Sequence, residues 1–223
     1  MEGQVEGSAT APAMNWFAPW FSIWTSPRAT IRKIVDADPT RYVIGIAWLG
    51  GALAALNANV TLATIKLPGN YPRMPTVMHG PVGTAVSAFL QGVLAVIVLY
   101  AGGSLLRWSG GILGGTAQTV EVRAAIAWGQ LPEIYLIVIR VVLAVSGLHT
   151  VAFPPEFSPS GMLLLVLGIW GFIVWLKCLG EVHRFSAWRA LGASFMAFVS
   201  VVGALLGFAL ALVLTVMIAH HLM

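Results

Sequence analysis

Four ionisable side chains and one amide sit in runs where a membrane would tolerate them least. Glu133 and Arg140 are seven residues apart in one apolar run, Lys177 and Glu181 are four apart in another, and Gln91 lies in a third. On a helix these spacings place both members of a pair on one face. Charges at membrane depth are costly, so they are paired or they line a path for protons or ions. Two chemistries follow. One is an intramembrane polar network of Gln91, Glu133, Arg140, Lys177 and Glu181 that fixes helix register, with Lys177 close enough in depth to meet Glu133 and Gln91 level with Arg140. The other is a water-filled path with Arg140 as its selectivity charge. The network is expected, because the sequence shows neither a repeated pore-lining pattern nor an inverted repeat.

Other chemistries find less support. His79, His149, His220 and His221 fall on one side of the apolar runs, as do Met74, Met78, Met162, Met217 and Met223. Imidazoles with thioethers suit a soft metal such as copper. No ligand-spacing motif backs such a site, so no metal and no cofactor is expected. There is no G-x-S-x-G, H-E-x-x-H, P-loop or C-x-x-C, and the GGILGG of Gly110 to Gly115 lacks the following G-K-[ST] of a phosphate loop. It reads as a flexible turn. Asp36 and Asp38 have no acid–base partner. Cys178, the single cysteine, excludes an intrachain disulfide and reads as a buried thiol. An enzyme is not expected.

The elements that must position these groups follow from composition. Only 9% of the 223 residues are charged and 58% are hydrophobic, too little charge to cover a water-facing surface. The bilayer is the solvent. Five runs reach the roughly 20 residues that a helical span requires: Tyr42 to Ile65, Val82 to Leu106, Ala124 to Leu148, Gly161 to Leu179, and Leu191 to Ala219. Pro132 is expected to bend the third. Gly45, Gly50, Gly51 and Ala54 in the first span, and the Gly203/Gly207 step in the fifth, let helix backbones approach closely.

Charge sets the orientation. Arg28, Arg32, Lys33, Arg41, Arg107, Arg123, Arg184 and Arg189 flank the spans on one side, against Lys66 and Arg73 on the other. By the positive-inside rule the N-terminus is cytoplasmic and the C-terminus external, in the inner membrane of a cell. The net charge of +4 is explained by this bias, and no basic cluster with interleaved aromatics points to nucleic acid.

Residues 1–14, small and acidic, read as a disordered cytoplasmic tail. Residues 15–40 form a collar. Trp16, Phe17, Trp20, Phe21 and Trp24 make one aromatic stripe at helical spacing, and tryptophan favours the headgroup level. Ser26 and Pro27 read as N-cap and first helical residue, and Pro39 ends the segment. Between them Ile31, Ile34 and Val35 face one way, while Arg28, Arg32 and Lys33 form a basic ridge. This predicts a short amphipathic helix lying in the interface, with its bases on anionic lipid headgroups. Residues 41–223 make the five-helix bundle.

Two stretches carry a family likeness. SPRATIRKIVDADP, Ser26 to Pro39, leads into an alanine- and glycine-rich span. GGTAQTVEVRAAIAWGQLPEI, Gly114 to Ile134, runs from a glycine-rich loop into a span with Trp128 and Pro132 in A-W-x-x-x-P. In these the chain resembles bacterial Yip1-domain proteins over roughly residues 15 to 215. The resemblance implies five spans, a cytoplasmic N-terminus and no enzymatic centre. Eukaryotic members act in vesicle trafficking and bind prenylated Rab-type GTPases and coat components. The expected fold is therefore all-α and integral to the membrane. The expected function is a membrane scaffold or organiser that binds lipid and assembles with itself or another membrane protein. A small transporter using Arg140, Glu133 and Lys177 is the alternative.

Overall fold

The structure, a computed structural model, describes residues 15–64, 80–146 and 159–222. The N-terminal tail, the connections at 65–79 and 147–158, and with them Lys66, Arg73, His79 and His149, lie outside these. So do the side chains of His220 and His221.

Eight helices and no strand occur among the described residues: α1 (Ala18–Ser22), α2 (Pro27–Ala37), α3 (Val43–Thr64), α4 (Pro81–Ile112), α5 (Thr119–Gly129), α6 (Leu131–Val145), α7 (Pro159–Val182) and α8 (Ala187–Leu222). Pro81–Ile112, Thr119–Leu143, Gly161–Val182 and Ala187–Ile218 are long and apolar enough to cross a membrane, and Val43–Ala58 adds a shorter apolar stretch. The all-α, multi-pass membrane architecture expected from the sequence is the one found.

The third span is two helices. Pro132 lacks the amide that would continue α5, and the chain breaks at Gln130 before α6 resumes. Its neighbour α4 runs on to Ile112, six residues beyond the expected end. At 1.5 Å per residue its 32 residues reach about 48 Å, well past a hydrocarbon core of about 30 Å. α5, α2 and the start of α8 lie toward the Ile112 end, the collar end of the bundle.

α3 and α4 form the most extensive helix pair. Gly51 makes it close: a Cβ there would come within 2.5 Å of the Gln91 carbonyl oxygen and the Ala95 methyl. Packing of this kind, rather than water exclusion, holds helices together in lipid. The tightest core is at the collar end. Ile31 and Ile34 of α2, Val122 and Trp128 of α5, Cys178 and Leu179 of α7, and Ala190 and Ala193 of α8 are all fully buried there. At the other extreme, every described side chain from Val201 to Ile218 on α8 is exposed within the chain.

Candidate functional site

The collar folds back onto the bundle. α2 packs against α5 and α7, with Thr30, Ile31, Ile34 and Val35 on its buried face. The apolar pattern seen in the sequence thus faces protein. Ser26 is the N-cap and Pro27 the first residue, though the Ser26 side chain makes no capping bond. Asp38 ends the helix in an extended conformation and accepts bonds from the Thr40 hydroxyl (2.7 Å) and amide (2.9 Å). These bonds hold its carboxyl below the usual carboxylate range.

The aromatic stripe of α1 and its flanks is divided. Trp16 stands edge-on to Tyr42, Trp20 edge-on to Trp128, and Trp24 stacks on Tyr135. The Tyr135 hydroxyl donates to the Trp20 carbonyl, and the Trp170 indole donates to the Trp24 carbonyl, each at 3.1 Å. Phe17 and Phe21, by contrast, are 80% and 74% exposed. The tryptophans bind the bundle and the phenylalanines face outward.

Two bases of the collar meet one acid of α7. Arg28 Nη1 lies 3.4 Å from Glu181 Oε2. Arg32 reaches Glu181 Oε1 through Nη2 (3.2 Å) and Nε (3.3 Å), and its Nη2 also donates to the Glu181 carbonyl at 2.7 Å. Lys33 is exposed. Beside these pairs opens a cleft of about 810 Å³, lined by Arg28, Arg32, Asp36, Glu181, Arg184, Phe185 and Ser186. The end of α7 shapes its wall. The Phe185 amide donates to the Gly180 carbonyl (2.9 Å) and the Arg184 amide to the Glu181 carbonyl (3.1 Å), with Arg184 left-handed at φ 59°. This is a Schellman ending, in which glycine is the usual residue at the left-handed position.

Next to the cleft His183 is 1% exposed. It stacks on Phe185 at 5.0 Å, and a Cβ on Gly110 or Gly115 would overlap its ring. GGILGG is therefore a socket for an imidazole, a correction to its reading as a flexible turn. Only glycine lets α4 and the following loop approach the ring so closely. Neither ring nitrogen has a hydrogen-bond partner among the described residues. Burial pushes the His183 pKa below its ordinary 6.5, against smaller upward pulls from Glu121 and from the Leu106 carbonyl, which lies near the ring without making an aligned hydrogen bond. The folded state then binds fewer protons here than the unfolded one. Its stability is full above about pH 6.5 and falls as the pH drops below that value. Thermal unfolding in detergent should show the native protein losing stability between about pH 7 and about pH 5. His183→Phe should flatten that slope.

The membrane-depth groups are arranged differently from the expected network. Arg140 Nη1 bonds Glu133 Oε1 at 3.0 Å, so these two do share a face of α6 and pair. Lys177 does not meet Glu133: its ammonium lies 5.2 Å from the Trp170 ring centre. Glu181 turns from Lys177 to the collar arginines, because α2 brings two guanidiniums to it. Gln91 is exposed on α4 and no hydrogen bond joins it to Arg140. No group of three metal-ligating side chains occurs among the described residues. The sequence reading missed Asp36, Arg184, Phe185 and Ser186 as cleft residues, and His183 as a core residue. Only α2's docking on α7 unites the cleft, and no local spacing encodes that.

The family model described as the Yip1 domain matches residues 21–211. No curated protein and no solved structure matches the chain.

Proposed function

The chain belongs to the Yip1-domain family, and from that premise we propose that it is a non-enzymatic membrane scaffold or organiser. In this reading the collar end faces the cytoplasm of the inner membrane. Phe17, Phe21, Lys33 and Arg41 contact anionic lipid headgroups there, and the bundle assembles through α8 with a second copy. The observation that carries the reading is the state of α8. None of its spanning window is buried inside the chain, against 17% to 44% in the other three candidate spans. A Cβ at Gly203 or Gly207 would meet nothing within 4 Å, so the small-residue face is open for another helix. The closed Glu133–Arg140 pair favours a fixed structural charge over a mobile one.

The test has two arms. Gly203→Leu with Gly207→Leu should leave helicity intact and lower the assembled mass in detergent or nanodiscs. Liposomes holding the native protein should pass ions no faster than empty ones. Ion flux that disappears in Arg140→Ala would replace the scaffold reading with a transporter built on Arg140, Glu133 and Lys177.

A further inference from the structure

We propose that the cleft between α2, α7 and the start of α8 binds a phosphate group. Arg184 holds it, with the uncommitted donors of Arg28, the Ser186 hydroxyl and the first-turn amides of α8. The proposal deepens the reading of the collar end as the headgroup-contacting end, and rests on it only for the source of the phosphate.

The first support is the backbone of Arg184. A side chain at a left-handed position is strained where glycine is not. A base near a helix C-terminus recovers some stability from the dipole. Any base in the last turn of α7 would recover as much without the strain, so stability alone does not account for an arginine at this position. Strain kept at one residue beside a cleft points to use of its side chain. That side chain is exposed, and its guanidinium makes no hydrogen bond or ion pair among the described residues.

The second support is charge. Three guanidiniums, Arg28, Arg32 and Arg184, line the cleft against two carboxylates, Asp36 and Glu181. Both Glu181 oxygens already accept from Arg28 and Arg32, so Asp36 is the one acid left to oppose an anion. Arg28 also gives Nη2 to the Phe185 carbonyl at 3.5 Å, yet each guanidinium carries more donors than these acceptors use, and its planar fork matches phosphate oxygens. The third support is the start of α8. Ser186 caps it by accepting the Arg189 amide on its hydroxyl oxygen (3.4 Å) and the Ala190 amide on its carbonyl (3.1 Å). The amides of Ala187 and Trp188 have no intrahelical acceptor, as in any first turn, and the positive end of the helix lies beside the arginines.

A phosphate here comes from a lipid headgroup or from solution, and one experiment separates the two. The full chain in detergent micelles is melted with inorganic phosphate, with short-chain phosphatidic acid, and with short-chain phosphatidylcholine, each against chloride at matched ionic strength. Ligand that binds the folded state raises the melting temperature with its concentration. Arg184→Gly and Arg184→Asn both accept the left-handed backbone, so both fold, and the glycine variant alone should melt slightly higher. Native protein should be stabilised by phosphatidic acid and hardly by phosphatidylcholine. Both variants should need about tenfold more ligand for the same shift, as loss of one charge-assisted contact implies. Stabilisation by inorganic phosphate at equal or lower concentration than phosphatidic acid assigns the site to a soluble phosphate. A preference for phosphatidic acid assigns it to lipid. No shift beyond that of chloride, or equal shifts in native protein and both variants, overturns the proposal. These melts do not read assembly, so failure here leaves the α8 reading standing, and failure of the α8 variants leaves this one standing.

Discussion

Reversing both collar arginines, Arg28→Glu with Arg32→Glu, is expected to open Cys178 to thiol reagents. Cys178 is fully buried beneath α2, and its thiol donates to the Pro27 carbonyl at 3.9 Å. As the single cysteine it gives one labelling signal, from the face of α7 that α2 covers. Two interactions hold that helix down. Ile31 and Ile34 are fully buried, each contributing about 1.5–3 kcal/mol of apolar burial. Glu181 adds its bonds to Arg28 and Arg32, partly exposed and so worth about 1 kcal/mol apiece at most. Alanine at both arginines therefore removes the smaller contribution, and labelling should quicken on the order of tenfold, at about 1.4 kcal/mol per factor of ten. Charge reversal goes further. It places two more carboxylates beside Glu181 and Asp36 with only Arg184 to oppose them, and labelling should quicken on the order of a hundredfold. Adding Glu181→Arg restores opposite charges and should return the rate to the alanine level or below. Unchanged helicity by circular dichroism separates local undocking from unfolding. Labelling as slow as in the native protein would mean that the ion pairs contribute nothing to docking.

The collar shows how far the sequence carries. Its helix, its boundaries at Pro27 and before Pro39, and its apolar face at Ile31, Ile34 and Val35 are local patterns, and they are legible. Which surface that face meets is not local. An apolar stripe suits a bilayer interface and a protein groove equally, and only the tertiary fold places α5 and α7 beneath it. The aromatic stripe behaves the same way. Trp16, Trp20 and Trp24 share a helical spacing with Phe17 and Phe21, yet the two sets part by about a quarter turn, one to Tyr42, Trp128 and Tyr135, the other outward.

The polar groups divide along the same line. Glu133 and Arg140 sit on one helix, so spacing alone foretells their pairing. Glu181 with Arg28 and Arg32 spans about 150 residues of chain, and no periodicity links such distant positions. His183 is harder still. Its socket is made of glycines, whose lack of side chain is what the imidazole needs, and glycine pairs in a sequence read first as turns. The signal was present in a negative form: four glycines in six residues, beside a helix that does not stop until Ile112.

Trp128→Ala should be the most destabilising single substitution at the collar end. Trp128 has no exposed surface and joins three elements, with Trp20 of α1 at 5.6 Å and Tyr42, at the entry to α3, at 6.3 Å from its place on α5. In a soluble core such a truncation costs about 3–5 kcal/mol, part of it transfer from water and part the cavity left behind. Where lipid rather than water is the alternative surroundings, the transfer part shrinks and packing dominates. The expected loss is therefore near the lower end, about 3 kcal/mol. Tyr42 adds to it: held at φ 62°, it keeps that strained backbone through its contacts with Trp16 and Trp128, and the truncation removes one of them. Trp128→Phe separates ring from N–H. The indole nitrogen has no hydrogen-bond partner among the described residues, so phenylalanine keeps most of the edge-on aromatic contact and removes a buried donor that gains nothing. It should cost about 1 kcal/mol or less. Equilibrium unfolding in mixed micelles reads both. A phenylalanine variant as unstable as the alanine one would place the stabilisation in the indole N–H instead of the aromatic packing.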